Sequence, residues 1–155
     1  MTQDDTGVDL ETSVGYLLKQ ASSALRAAME SVLRPLGMTV THYSCLELLA
    51  QRPGLSNSEL ARGAFVSRQS MNVLLQALER DGFVTRPASA RVGKVLPTRL
   101  TPLGRRRLAK ATVAIRSVEQ RMLAGLDDPA RAEAGRLLHR LIEALTPEGD
   151  RPPVR

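Results

Sequence analysis

The residue types best suited to molecular recognition are concentrated in one stretch, Ser67-Arg68-Gln69-Ser70-Met71-Asn72, with Gln76 one helical turn further along. Arginine can donate two hydrogen bonds to guanine, glutamine and asparagine pair with adenine N6 and N7, and serine suits a phosphate or a base. A helix that begins here would also direct free backbone N–H groups toward a phosphate. This pattern indicates a surface that reads base edges in duplex DNA.

Catalytic side chains are scarce by comparison. The chain has 2 histidines, His42 and His139, and one cysteine, Cys45, and Glu143 follows His139 on an amphipathic stretch typical of solvated surface. The sequence contains no glycine-rich phosphate loop, H-E-x-x-H or G-x-S-x-G pattern. Residues so far apart do not make a zinc site. The sequence therefore predicts that the protein is not an enzyme and uses no metal or cofactor.

The formal charge of +6 over 155 residues hides a basic centre. Between Arg52 and Arg116 stand 13 Lys and Arg residues but only three acids, a net charge of +10 that suits a polyanion. An arginine-rich surface without a partner is the alternative interpretation. Aromatic residues are only 3% of the chain, which argues against base-stacking platforms for single strands and favours a duplex.

The sequence also indicates where the protein works. No stretch approaches the roughly 18 to 20 consecutive apolar residues of a membrane span. The acidic start, Met1-Thr2-Gln3-Asp4-Asp5, lacks the apolar segment of a secretory signal, and one cysteine cannot form an internal disulfide. We therefore expect a cytoplasmic protein whose length suits one domain.

Apolar periodicity and cap residues predict six helices. Pro35 and Gly37 end the first, and Thr41 is expected to cap the second. Ser56 and Glu59 form a capping box for the third. The predicted helices span about residues 12–33, 42–51, 57–63, 68–80, 102–126 and 128–145.

A β-hairpin is predicted between the fourth and fifth helices. Ser67 caps the fourth helix, and Asp81-Gly82 stops it because glycine suits the left-handed position after a helix. The strand candidates are residues 83–86 and 98–100. Pro87 and Pro97 flank the connection and cannot donate ladder hydrogen bonds, so the hairpin must be an exposed edge. Thr101-Pro102 then starts the long fifth helix.

The third and fourth helices fit a helix-turn-helix, since only Gly63-Ala64-Phe65-Val66 separates them. Apolar residues of the fourth helix would face the core, which leaves Arg68, Gln69, Asn72 and Gln76 facing outward. A plain helical hairpin with a solvated polar face is the structural alternative. The polar first turn, the hairpin that follows and the basic centre together favour DNA binding.

The order of these elements resembles that of a MarR-family winged helix-turn-helix regulator. The resemblance covers residues 16–145, nearly the whole chain. The matching segments are Leu36-Gly37-Met38-Thr39, Leu60-Ala61, Val66-Ser67, Leu78-Glu79-Arg80-Asp81-Gly82-Phe83-Val84 and Leu100-Thr101-Pro102-Leu103-Gly104.

The resemblance implies a mainly α fold with a small β-hairpin wing and a homodimer that binds a pseudo-palindromic operator. It implies a repressor more often than an activator. The corresponding segments are a flexible acidic arm (1–10), an N-terminal dimerisation helix (11–35), the winged helix-turn-helix lobe (36–101), C-terminal dimerisation helices (102–146) and a disordered tail (147–155).

The expected DNA contacts lie on the recognition helix and the wing. The wing of the family carries an Asp-Arg pair near its tip, where this chain has Val92 and Gly93, so Arg91 or Lys94 is expected to replace that arginine. Arg86 is expected to contact phosphate. The recognition-helix candidates are Ser67, Arg68, Gln69, Ser70, Asn72 and Gln76.

The resemblance also implies release from DNA by a small phenolic or aromatic ligand, through a population shift between two states. The candidate lining residues are Tyr16, Met29, His42, Tyr43 and Arg62, each of which has an alternative role in packing. Two other functions stay open. One is a redox sensor that uses Cys45, although a buried, inert cysteine fits its apolar neighbours better. The other is a dimeric helical adaptor that binds a protein partner and no DNA.

Overall fold

The computed structural model describes residues 7–86 and 98–150. Within them the chain is helical apart from one two-stranded antiparallel sheet, which confirms the predicted fold class. In this part of the chain no helix combines the length and apolar character that a membrane crossing needs. The elements are α1 (Val14–Leu33), α2 (Val40–Gln51), α3 (Asn57–Gly63), α4 (Arg68–Arg80), β1 (Val84–Thr85), β2 (Arg99–Leu100), α5 (Pro102–Leu123) and α6 (Asp128–Leu145), with short 3₁₀ turns at Arg34–Leu36 and Glu148–Asp150.

Local hydrogen bonds define where α1 begins. The side chain of Ser13 accepts from the Tyr16 N–H, so Ser13 is the N-cap. Asp9 precedes it as a turn residue, because its carboxylate accepts from the Glu11 N–H at 3.0 Å and from the Thr12 hydroxyl at 2.8 Å. Hydrogen-bonded structure thus reaches back to Asp9, inside the segment expected to be a flexible arm.

The predicted cap of α2 was wrong by two residues. Thr39, not Thr41, has the extended backbone of an N-cap, and its Oγ1 accepts from the His42 N–H at 3.1 Å. His42 Nδ1 accepts in return from the Thr39 N–H at 3.3 Å. A histidine therefore completes a capping box that sequence patterns assign to Glu or Gln, and Thr41 lies inside the first turn.

The chain divides into two compact units, one ending at Val118 and one beginning at Glu119. The first unit contains the hydrophobic core, to which α1, α2, α3, α4, both strands and α5 contribute. The most completely buried large side chains are Leu33, Leu46, Leu60, Met71, Leu75, Val84 and Cys45. In the second unit, Asp127 caps α6, and the Arg131 guanidinium donates to the carbonyls of Leu123 and Leu126.

The base of the hairpin is joined to the start of α5. Strands β1 and β2 pair with Val84 opposite Leu100. The Phe83 carbonyl accepts from the Thr101 N–H at 3.0 Å, and the Thr101 hydroxyl donates to the Gly82 carbonyl at 2.6 Å. A Cβ on Gly104 would lie 2.1 Å from the Phe83 carbonyl oxygen, so only glycine allows α5 to approach this closely.

The turn between α3 and α4 places an aromatic residue where glycine is usual. The N–H groups of Val66 and Phe65 donate to the carbonyls of Ala61 and Arg62, the two bonds of a Schellman motif. Phe65 thereby takes a left-handed backbone with φ of 58°, and its side chain is 93% exposed. Phe65 therefore has a strained backbone, although its side chain is not buried in the fold.

Replacing Phe65 by glycine should stabilise the fold. A left-handed backbone destabilises a non-glycine residue by about 1–2 kcal/mol. Glycine removes this strain, but its greater conformational entropy in the unfolded chain offsets roughly half of the gain in stability. We expect the free energy of unfolding of Phe65→Gly to rise by about 0.5–1 kcal/mol in urea titrations. Phe65→Ala, which keeps the strained backbone, is the matched control and should stay close to wild type; a destabilised glycine variant would contradict the interpretation.

Candidate nucleic-acid interface

The start of α4 is fixed by two serines. Ser67 has extended backbone, and its Oγ accepts from the Ser70 N–H at 3.0 Å and donates to the Ser70 hydroxyl at 2.9 Å. This confirms Ser67 as the cap. Both hydroxyls are exposed but already bonded to each other, so their first role is to define the helix end. Exposed Arg68 and Gln69 follow in the first turn, where helical N–H groups have no acceptor within the helix.

The two sides of α4 differ sharply in environment. Met71, Leu74, Leu75 and Leu78 are buried in the core. The opposite side carries Gln69, Val73, Gln76 and Arg80, which follow one another at steps of four, three and four residues and are all exposed. We refer to these four residues as the outward stripe. The burial of one side therefore directs the other toward any partner of the lobe.

Asn72 does not lie on the outward stripe, contrary to the sequence prediction. It is half-buried, and its Oδ1 accepts from Asn57 Nδ2 at 2.8 Å, which ties α4 to the start of α3. Bidentate pairing with adenine needs both the oxygen and the nitrogen of the amide, and that oxygen is already shared. Gln69 and Gln76 are better placed for such pairing.

Of the basic residues outside α4 that were expected to contact DNA, only Arg86 lies in the described part of the structure. Arg86 is described and half-buried, and its Nε lies 3.9 Å from Glu79 Oε2, so part of its charge is balanced within the lobe. Arg91 and Lys94, together with the wing-tip positions Val92 and Gly93, lie outside the described residues.

Other basic side chains contribute to the basic centre of the sequence, but the sequence does not predict where they lie in the fold. Arg99 on β2 and Arg105, Arg106 and Lys110 on α5 are all exposed. Arg107 differs, because its Nη1 donates to the Leu36 carbonyl at 3.0 Å and its guanidinium lies 5.5 Å from the centre of the Phe83 ring. Arg107 is thus exposed like its neighbours, but it also holds the start of α5 to the rest of the fold.

This geometry agrees with comparisons to known proteins. A sequence model of the MarR family matches residues 36–94. The HTH-type transcriptional repressor Rv2887 of Mycobacterium tuberculosis is 42% identical over 135 residues, which cover 87% of this chain and 97% of the relative. The chain belongs to the MarR family.

Solved structures of MarR-family protein Rv2887 show the same fold. The structure of its complex with DNA has a TM-score of 0.70 and 40% identity, covering 84% of this chain and 98% of that chain. The structure of its complex with salicylic acid has a TM-score of 0.70 and 42% identity, covering 84% and 96%. These values confirm the resemblance inferred from the sequence.

The ligand candidates of this MarR-family chain differ in how far they are exposed. Tyr16 and Arg62 are exposed, whereas Met29, His42 and Tyr43 are half-buried. Among the surface hollows, two are lined by described residues as follows. One of about 300 Å³ is lined by Glu30, Arg34, Gly37, Met38 and Thr39, and one of about 210 Å³ by Tyr43, Ser44, Glu47, Leu48, Gln51 and Arg52. Of the candidates, Tyr43 alone is among these lining residues.

Charge at the hollows comes from residues that the sequence interpretation did not select. Burial lowers the pKa of His42, and the charge of Asp81 partly offsets this effect. Burial and the Glu47 carboxylate raise the pKa of the Tyr43 phenol. The cations are Arg34 in the first hollow and Arg52 in the second. The sequence alone could not identify these two arginines, because nothing in it distinguishes them from other surface arginines; only the folded structure shows that each lines a hollow.

Cys45 is a core residue. It is completely buried, and its Sγ lies 3.8 Å from the sulfur of Met71. Desolvation raises the pKa of the thiol from 9.0 to about 12. Because the thiolate is the species that oxidants attack, this environment opposes the redox-sensor alternative.

Cys45 should be inert in the folded protein. We expect iodoacetamide at pH 8 to label it only after denaturant is added, as followed by mass spectrometry.

The free energy of unfolding should also depend on the protonation of the Cys45 thiol. The stabilising contribution of the buried, protonated thiol is full below pH 9.0 and is lost as the pH rises toward about 12, because the unfolded state releases the proton first. The free energy of unfolding of Cys45→Ala should therefore fall less steeply between pH 9 and 11 than that of wild type. Rapid labelling of the folded protein would revive the redox interpretation.

Proposed function

We propose that this MarR-family protein is a transcriptional repressor that binds a pseudo-palindromic DNA site as a homodimer and is released by a small aromatic carboxylate or phenol. The observation that carries the proposal is the exposed polar start and outward stripe of α4, held in place by the buried opposite side. Rv2887, a transcriptional repressor with a solved DNA complex, supports it at 40% identity or above.

The proposed contacts divide between bases and phosphates. Arg68, Gln69 and Gln76 read base edges in the major groove. Ser67, Ser70 and the first N–H groups of α4 contact phosphate, where the positive end of the helix dipole adds attraction. Asn72 donates through its nitrogen, since its oxygen already accepts from Asn57. Arg86 contacts the backbone, and Arg91 or Lys94 supplies the minor-groove contact of the wing.

A homodimer would cover apolar side chains that each unit leaves in solvent. On α1, Val14 is 57% exposed and Leu17 45%. On α6, the exposed apolar residues Leu137, Leu138, Leu141, Ile142 and Leu145 recur at helical spacing. Full burial of such side chains stabilises by about 1.5–3 kcal/mol each. We therefore propose residues 11–35 and 102–146 as the dimerisation segments and 36–101 as the DNA-binding lobe, with two copies of α4 related by a two-fold axis.

An aromatic carboxylate is the ligand class that the relatives favour, because Rv2887 has a structure in complex with salicylic acid. In this chain the carboxylate needs a cation, and we propose Arg62 for that role with Tyr16, Met29, His42 and Tyr43 around the ring. Release follows if the ligand binds more tightly to a state whose recognition helices do not fit the operator.

Arg68→Ala and Gln69→Ala should each lose sequence discrimination. We expect affinity for the operator to fall by about 1–3 kcal/mol for each variant, while affinity for a shuffled duplex changes far less for Gln69→Ala. Fluorescence anisotropy with the duplex upstream of the gene, or with sites enriched from random sequence, measures both. Wild-type log affinity should also fall linearly with log salt.

Gln51→Ala is the matched control, since it removes an exposed glutamine from α2 rather than from α4 and lies outside the proposed dimerisation segments. Each variant is checked for the wild-type oligomeric mass by light scattering. If random-sequence selection with wild type enriches no palindrome, the repressor proposal fails, and the dimeric adaptor becomes the better interpretation.

Salicylate should release the protein from its operator, whereas salicylamide, which keeps the ring and hydroxyl but lacks the charge, should be at least about tenfold weaker. Arg62→Gln should raise the salicylate concentration that gives half release. Arg52→Gln, an exposed arginine of the second hollow, is the control. Equal potency of the two compounds would show that no cation is involved, and loss of the response in Arg52→Gln alone would move the site to that hollow.

A further inference from the structure

We propose that Val73 reads the C5-methyl group of a thymine in the major groove, between base pairs contacted by Gln69 and Gln76. The inference rests on the proposed DNA-binding function and names a base preference for it: each half-site carries A·T pairs under the outward stripe. No sequence pattern selected Val73, because an isolated valine looks like one more core residue.

Val73 holds the middle position of the outward stripe. Its side chain is 62% exposed on a helix whose other large apolar residues, Met71, Leu74, Leu75 and Leu78, are buried. Four residues of helix rise about 6 Å, which is less than two base-pair steps at about 3.4 Å each. Val73 therefore approaches a base pair within about two steps of the one read by Gln69.

Folding does not account for a valine at this position. Valine is a β-branched residue that loses side-chain freedom in a helix, so it is a weaker helix former than alanine or glutamine on an exposed side. Val73 is also absent from the described core cluster and from the partly buried residues packed on it. Within residues 7–86 and 98–150, its isopropyl group is therefore outside the core and is left for a partner of the lobe.

The chemistry of the major groove identifies that partner. The thymine methyl is the apolar group that base edges present there, whereas the other edges present donors and acceptors. An isopropyl group pressed against the cytosine N4 amine would bury an unpaired donor, which is unfavourable. The two neighbouring glutamine amides suit adenine N6 and N7. The two glutamines and the valine of the outward stripe therefore all favour A·T base pairs.

The test removes only the methyl group. The operator selected with wild-type protein is synthesised with deoxyuridine in place of each thymine in turn, and affinities are measured by fluorescence anisotropy. We expect one thymine in each half-site whose replacement weakens wild-type binding about three- to fivefold, the value of one buried methyl group. Val73→Ala should bind the thymine operator several-fold more weakly than wild type and be nearly insensitive to the same uracil.

Val73→Ser removes both terminal methyl groups and adds a hydroxyl, so it should also lose the methyl dependence. Val8→Ala, a similarly exposed valine at 72% that lies before α1 and outside the proposed dimerisation segments, is the matched control and should respond to uracil as wild type does. Specific binding with no uracil effect, or with an effect that persists in Val73→Ala, overturns the inference and leaves the repressor proposal standing. Absence of any sequence-specific binding by wild type overturns both.

Discussion

The burial of one side of α4 is the constraint on which the rest of the lobe depends. Met71 and Leu75 are completely buried in the same core cluster as Leu46 and Leu60, so α4 cannot rotate without taking apolar surface out of the core. Each such side chain contributes about 1.5–3 kcal/mol. The outward stripe therefore has a fixed direction before any partner arrives, and a partner does not have to supply the free energy of ordering it.

Local signals in the sequence were enough to predict the frame of this site. The serine cap of α4, the Ser56–Glu59 capping box and the glycine stop at Gly82 each act over three or four residues, and the structure has all three. The cap of α2 was mispredicted because His42 plays a part that patterns give to Glu or Gln. An error of this kind arises when an uncommon residue type, here a histidine, makes the hydrogen bond that a cap requires.

The remaining errors concern contacts between distant segments. Nothing near Asn72 in the sequence indicates that Asn57, fifteen residues earlier, bonds its oxygen. Arg107 resembles its neighbours Arg105 and Arg106, yet it alone of the three lies over the Phe83 ring. Tertiary packing decides which polar residues remain available, so the sequence predicted the segment that forms the site better than the particular side chains that can act.

The residues proposed to read base edges and a second group of exposed cations occupy different elements. Arg68, Gln69, Val73 and Gln76 lie on α4, whereas exposed Arg99, Arg105, Arg106 and Lys110 lie on β2 and α5. Contacts to phosphate provide affinity that is independent of sequence and falls with salt, whereas contacts to base edges provide discrimination. Because the two groups are carried by separate elements, a change in one should leave the other largely intact. Such a lobe can change its preferred site through a few positions on α4 while its attraction to DNA, and its core, stay as they are.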